Sequence, residues 1–94
     1  MHFDWDENKA ARNLKDHAVS FEEAQEVFED DWAVVVPDEA HSFGERRYCI
    51  IGAAGQKLLL VVYVERAGDV IRIISARAAE SYERRLYYEG EEGW

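Results

Sequence analysis

The chain has 94 residues, 48% of them hydrophobic and 13% aromatic, with a formal charge of −9 at pH 7. That length suits one domain with a single core, and the apolar content sets it apart from disordered chains of similar charge. No apolar run approaches the roughly 20 residues that cross a bilayer, and the lone Cys49 excludes an internal disulfide or a Cys-cluster metal site.

Phe3-Asp4-Trp5 alternates and reads as a short edge strand. Asp6 caps a helix predicted to run to about His17, with Ala10, Leu14 and Ala18 on one stripe. A second helix opens at Ser20, which stands three residues before Glu23 in capping-box spacing, with Val19 and Ala24 at the staple positions. Phe21, Ala24, Val27 and Phe28 make its apolar stripe, and Glu22, Glu23, Glu26 and Glu29 its wet face.

The period then changes to that of strands. Residues 32–36 are a β-branched run stopped by Pro37-Asp38. Residues 47–52 form the next, with Gly52-Ala53-Ala54-Gly55 expected as a hairpin turn. Residues 57–66 are apolar on both faces, which predicts a central position. Ala67-Gly68-Asp69 turns the chain into residues 70–77. From Ala79 the period is helical again, with Tyr82, Leu86 and Tyr87 on one side and Gly90 as the expected stop.

The order is a short strand, two helices, an antiparallel meander of strands and a C-terminal helix, an α+β layout. Residues 1–90 are expected to form the domain and 91–94 an acidic tail, with Trp94 loose at its end. The opening from His2 to Asp6 is acidic where a secretion signal is basic and then apolar, so the expected location is the cytoplasm, with no membrane contact.

Charge is unevenly spread. Residues 1–39 hold twelve acids and three bases, whereas residues 40–88 hold five acids and eight bases, seven of them arginine. A local cationic face is therefore open to a chain that is acidic overall.

Two blocks carry a family resemblance. Phe3-Asp4-Trp5-Asp6 with Lys9, Asn13, Lys15-Asp16-His17 and Val19-Ser20-Phe21-Glu22-Glu23-Ala24 resembles the opening of the BrnT toxins. Tyr63-Val64-Glu65-Arg66, Arg72-Ile73-Ile74-Ser75-Ala76-Arg77 and Glu83-Arg84-Arg85-Leu86-Tyr87 resemble that family's central strands and last helix. The resemblance spans about residues 3–88. It implies a RelE-like fold, endoribonuclease activity without metal or other cofactor, and an antitoxin of the BrnA type. Such an antitoxin carries a ribbon-helix-helix part, through which alone the toxin reaches operator DNA. Three positions depart from the family pattern. Ala18 stands where glycine is usual, Ala78 where a base is common, and Glu80 where Ser or Thr caps the last helix.

Cleaving RNA in this way needs a base for the 2′-hydroxyl proton, an acid for the leaving oxygen and cations for the phosphate. Arg66 and Arg77, at the ends of their strands, are the first candidates for the phosphate, because a guanidinium can pair two oxygens at once and strand ends facing one rim could bring the two together across the hairpin. Each has a competing role as the partner of a nearby acid: Glu65 or Asp69 for Arg66, and Glu80 or Glu83 for Arg77. Alternation places Arg72 on the opposite face from Arg77. Glu83 and Tyr87 could supply a carboxylate and a phenol, and Lys9, Arg46, Arg47 and Arg84 could bind the RNA backbone. His17 reads as a helix-end cation before it reads as a proton carrier. His2 and His41 lack ligand spacing to the scattered acids, so no metal site is expected. Cys49 reads as a buried, inert thiol. The acidic wet face of the second helix reads as solvated or, more sharply, as a dock for a basic antitoxin segment. A catalytically silent scaffold that only binds its antitoxin and tunes operon repression is the alternative to the nuclease.

Overall fold

The computed structural model describes residues 1–42 and 44–93, with side chains through residue 90. Trp94 lies outside the described residues.

Strand β1 (His2–Asp4) leads into helix α1 (Glu7–His17), capped by the Asp6 carboxylate, which accepts from the Asn8 and Lys9 N–H groups. Helix α1 ends on Ala18 with φ +59°, a left-handed conformation that costs an alanine roughly 1–2 kcal/mol. Helix α2 (Phe21–Ala24) carries the full Ser20–Glu23 capping box and tightens at once into a 3₁₀ turn over Gln25–Glu29.

Strand β2 (Val34–Pro37) begins two residues later than the β-branched run suggested, because the Asp30 side chain takes the Trp32 N–H and the Asp30 carbonyl takes that of Ala33. Strands β3 (Arg47–Ala54), β4 (Lys57–Arg66) and β5 (Val70–Ala78) follow, and helix α3 (Ser81–Gly93) closes the described chain. The backbone stays helical through Gly90 to Gly93, so Gly90 is no stop.

The sheet order is β1-β5-β4-β3-β2, with β4 in the middle as its two apolar faces require. β2, β3, β4 and β5 pair antiparallel in succession, but β1 joins β5 in parallel, which makes the sheet mixed rather than wholly antiparallel. The β3–β4 turn is Gly55-Gln56, with Gly55 at φ +61°, and Gly52 lies inside β3. A Cβ on Gly52 would come within 2.8 Å of the Val27 side chain, so this glycine marks a close approach and not a turn.

One face of the sheet is covered by α1, α2 and the 3₁₀ turn. Val19, Phe21, Ala24 and Val27 pack there on Ile50, Leu59, Val61 and Ile73. Phe3, Phe28, Tyr63 and Tyr48 run across it in ring contacts of 5.0–5.6 Å, and burial pushes the Tyr63 hydroxyl up to about 12. Buried Asn13 fastens α1 to the sheet: its amide donates to the Val19 and Ala76 carbonyls, and its oxygen accepts from the Ala76 N–H. The other face is covered only at one end, where Tyr87 of α3 packs on Ile51, Leu58 and Leu60. Its remainder is open. Among the described residues no helix is long and apolar enough to cross a membrane.

Candidate functional site

The open part of that second face is a groove of about 460 Å³. Its floor is Cys49 and Ile51 of β3, Leu60 and Val62 of β4 and Ser75 of β5, a row of residues that strand pairing sets on one side. One wall is α3, through Tyr82, Glu83 and Leu86. The other is Val36 of β2 with Asp38 and His41 of the 3₁₀ turn Glu39–His41, and Arg47 and Arg77 border the floor.

Arg77 is the best-held cation. Its two terminal nitrogens donate to the two Glu83 oxygens at 2.8 Å each, and one also reaches the Ala78 carbonyl at 3.1 Å. Glu83 is 2% exposed and also accepts from the Glu80 N–H at the start of α3. The Arg77 guanidinium holds this carboxyl below the usual glutamate range, outweighing the opposing effect of burial. The expected pairing of Arg77 with a helix acid therefore exists, and it sits inside the groove wall.

Arg47 comes from the first residue of β3. Among the described residues no carboxylate pairs with it. Arg66 lies far away. It pairs across the sheet with Val70, whereas Arg77 pairs with Leu60, so six β4 positions separate them, roughly 20 Å at ~3.3 Å per residue. Consecutive antiparallel strands end at opposite rims, and the expectation that Arg66 and Arg77 meet at one rim is overturned. Arg66 instead clasps Glu45 with two 2.9 Å hydrogen bonds and ties down the segment between β2 and β3.

Arg72 shares the groove face with Arg77, against the simple alternation. Val62 pairs with Ser75 and Tyr63 with Ile73, so Ile74 is an extra residue in β5, and the bulge flips the parity between positions 72 and 77. Arg72 is occupied by Asp4 at 3.1 Å.

The other candidates do not converge on the groove. Tyr87 is buried and donates to Asp30 Oδ2 at 2.7 Å. Arg84 stands over the Tyr88 ring, 6.0 Å from its centroid, on the far side of α3 beside Lys57. Arg46 is exposed in a separate depression with Glu39 and Glu45. Lys9 is exposed on α1, the helix that covers the opposite face. Of the candidate cations, Arg47 and Arg77 are the two that border the groove, and Arg77 also lines a second pocket with Lys15 and His17.

Sequence reasoning took Asp38 only as part of a strand stop and His41 only as a histidine without metal-ligand spacing. Their side chains meet at 3.1 Å between Oδ1 and Nδ1, an i,i+3 contact that the turn after Pro37 makes possible. The available signal was an Asp three residues before a His just past a strand-ending proline. Cys49 is half-buried on the groove floor, where burial raises its thiol above the ordinary range.

The groove is thus framed by a small α+β fold, a five-stranded mixed sheet with α1 and α2 on one face and α3 at one end of the other. The family model for the ribonuclease toxin BrnT of type II toxin–antitoxin systems matches residues 5–83. The chain belongs to the BrnT family. It is similar to the crystal structure of the Brucella abortus ribonuclease toxin BrnT, with a TM-score of 0.69 and 26% identity over 86% of this chain and 99% of that one. No curated protein matches the chain in sequence.

Proposed function

We propose that the chain is an endoribonuclease toxin that cleaves RNA in the groove beside α3 without a metal ion, on a RelE-like fold. The observation that carries this reading is that Arg47 and Arg77 border one open groove, with Glu83 fixing the second of them. Two guanidinium groups on a half-apolar floor can hold the non-bridging oxygens of a phosphodiester and stabilise the charge that grows on them. In this reading Arg66 positions a loop and Tyr87 packs a helix. Lys9, Arg46 and Arg84, which do not line the groove, meet the RNA backbone beyond it.

The toxin works in the cytoplasm and is silenced by an antitoxin of the BrnA type, whose ribbon-helix-helix part brings the complex to operator DNA. Glu22, Glu26 and Glu29 are exposed on α2 and the following 3₁₀ turn, and they offer a basic segment of that antitoxin a complementary charge. Replacing the three with glutamine is expected to slow association and flatten its salt dependence. Unchanged rates would remove this surface from the interface.

A second reading, an antitoxin-binding scaffold without catalysis, is favoured by one observation: Glu83 already occupies Arg77, and Glu80 stands 3.7 Å from it. The two readings separate when the purified chain is incubated with total bacterial RNA in EDTA, beside Arg47→Ala and Arg77→Lys variants checked for folding. Cleavage by the wild type, weakened in both variants, supports the nuclease. A folded wild type that leaves the RNA intact supports the scaffold.

A further inference from the structure

We propose that His41 and Asp38 are the general-base pair of the groove, with Asp38 orienting the imidazole and His41 accepting the 2′-hydroxyl proton of the RNA. The inference rests on the nuclease reading and adds to it the group that moves the proton.

The titratable and charged groups lining the groove around His41 are Asp38 on its own turn, Arg47 and Cys49 on β3, Arg77 on β5, and Tyr82 and Glu83 on α3. Most are unsuited to take a proton. Neither arginine has an acceptor lone pair. Both Glu83 oxygens are engaged by Arg77, one also by the Glu80 N–H, and the side chain is sealed from solvent. Burial keeps the Cys49 thiol protonated, and the Glu83 carboxylate keeps the Tyr82 phenol protonated. His41 remains: its side chain is 68% exposed at the groove mouth, and histidine is the side chain suited to exchanging protons near neutral pH.

Asp38 supplies what an isolated surface histidine lacks. Its carboxylate is the sheltered member of the pair, 19% exposed, and stands 3.1 Å from Nδ1. A proton on Nδ1 directed at that carboxylate leaves the Nε2 lone pair free to accept. The turn itself is braced. The Asp38 N–H donates to the Arg47 carbonyl at 2.9 Å, Ser42 Oγ donates to the Asp38 carbonyl at 2.7 Å, and the Arg47 N–H donates to Ser42 Oγ at 2.9 Å. The same bonds thus link the base pair to Arg47, and the Arg66–Glu45 clasp holds the far end of the segment.

In the step, the 2′-oxygen bonds to phosphorus as the bond from phosphorus to O5′ breaks, leaving a 2′,3′-cyclic phosphate and a 5′-hydroxyl. The 2′-hydroxyl proton passes to His41 Nε2, the departing O5′ takes a proton from water in the open groove, and His41 returns its own to solvent. Arg47 and Arg77 hold the phosphate oxygens throughout.

The test uses the purified chain in EDTA with a mixed-sequence oligoribonucleotide and its all-deoxy counterpart. Wild type is expected to cleave only the ribo strand, leaving cyclic-phosphate ends. His41→Gln should lower kcat by about 10²–10⁴-fold with little change in KM or Tm, and should lose the acidic limb of the kcat/KM profile. Asp38→Asn should keep that limb but lower kcat, since the imidazole loses the carboxylate that orients it. Imidazole added to His41→Ala should restore part of the rate. If His41→Gln cleaves within about twofold of wild type with an unchanged pH profile, the base pair is wrong and the nuclease reading stands. If folded wild type cleaves nothing, both fall together.

Discussion

Arg77 and Glu83 are joined by two parallel hydrogen bonds of 2.8 Å, one from each terminal guanidinium nitrogen to each carboxylate oxygen. The pair does two jobs. It fixes a cation on the groove border, and it anchors the first turn of α3, because Glu83 also accepts the Glu80 N–H.

Stability should therefore depend on Glu83 in a defined pH window. Its carboxyl is depressed in the folded protein from an ordinary value of 4.5. A depressed acid contributes fully above its unfolded value and loses that contribution as pH falls through its folded one. Glu83→Gln should lower stability by roughly 2–3 kcal/mol at pH 7, toward the low end for a broken buried pair because the arginine remains partly exposed. The gap from wild type should close as pH falls below the ordinary value of 4.5 and on through the lowered folded one. Melting curves from pH 7 to 3 check this, and parallel pH dependences in the two proteins would contradict it.

Asn13→Ala should be among the costliest single changes on α1. It strips partners from the Val19 carbonyl and from both backbone groups of Ala76, all in a buried setting. A loss of about 2–4 kcal/mol in urea unfolding is expected. A loss under 1 kcal/mol would mean that water replaces the amide at little cost.

Gly52→Ala should destabilise by about 1–3 kcal/mol, because the new methyl meets Val27 Cγ1 at 2.8 Å. Val27→Ala opens the same space at the cost of core contacts. The double variant should be more stable than the two single losses predict when added, and strict additivity in a thermodynamic cycle would place the clash elsewhere.

Tyr87→Phe separates packing from chemistry. It removes the 2.7 Å bond to Asp30 and should cost about 1 kcal/mol. Cleavage per folded molecule should stay at the wild-type rate; a large fall in kcat at unchanged folding would restore the phenol to the chemistry.

Ala18→Gly should stabilise the chain by about 0.5–1 kcal/mol, since φ +59° strains alanine and suits glycine, less the extra freedom glycine has when unfolded. A drop in Tm would show that the Ala18 methyl makes contacts worth more than the strain.

Local signals in the sequence settled a good deal: the caps at Asp6 and Ser20, the order of elements, the central place of β4, and the family itself through the two blocks around Phe21 and Arg77. Each depends on neighbours within a turn or on a period along one segment, and that information is in the chain before it folds. What faces what was decided by tertiary structure. Gly52 looked like a turn because nothing local reveals Val27 above it. Arg72 and Arg77 looked opposed because a bulge at Ile74 exists only in the register with β4. Arg66 and Arg77 looked like neighbours because two strand ends are alike in sequence, while antiparallel pairing sends them to opposite rims. Asp38, His41 and Arg47 come to the groove that Arg77 and Glu83 border only once β3 has paired with β2 and β4, and once α3 has packed Tyr87 onto the sheet.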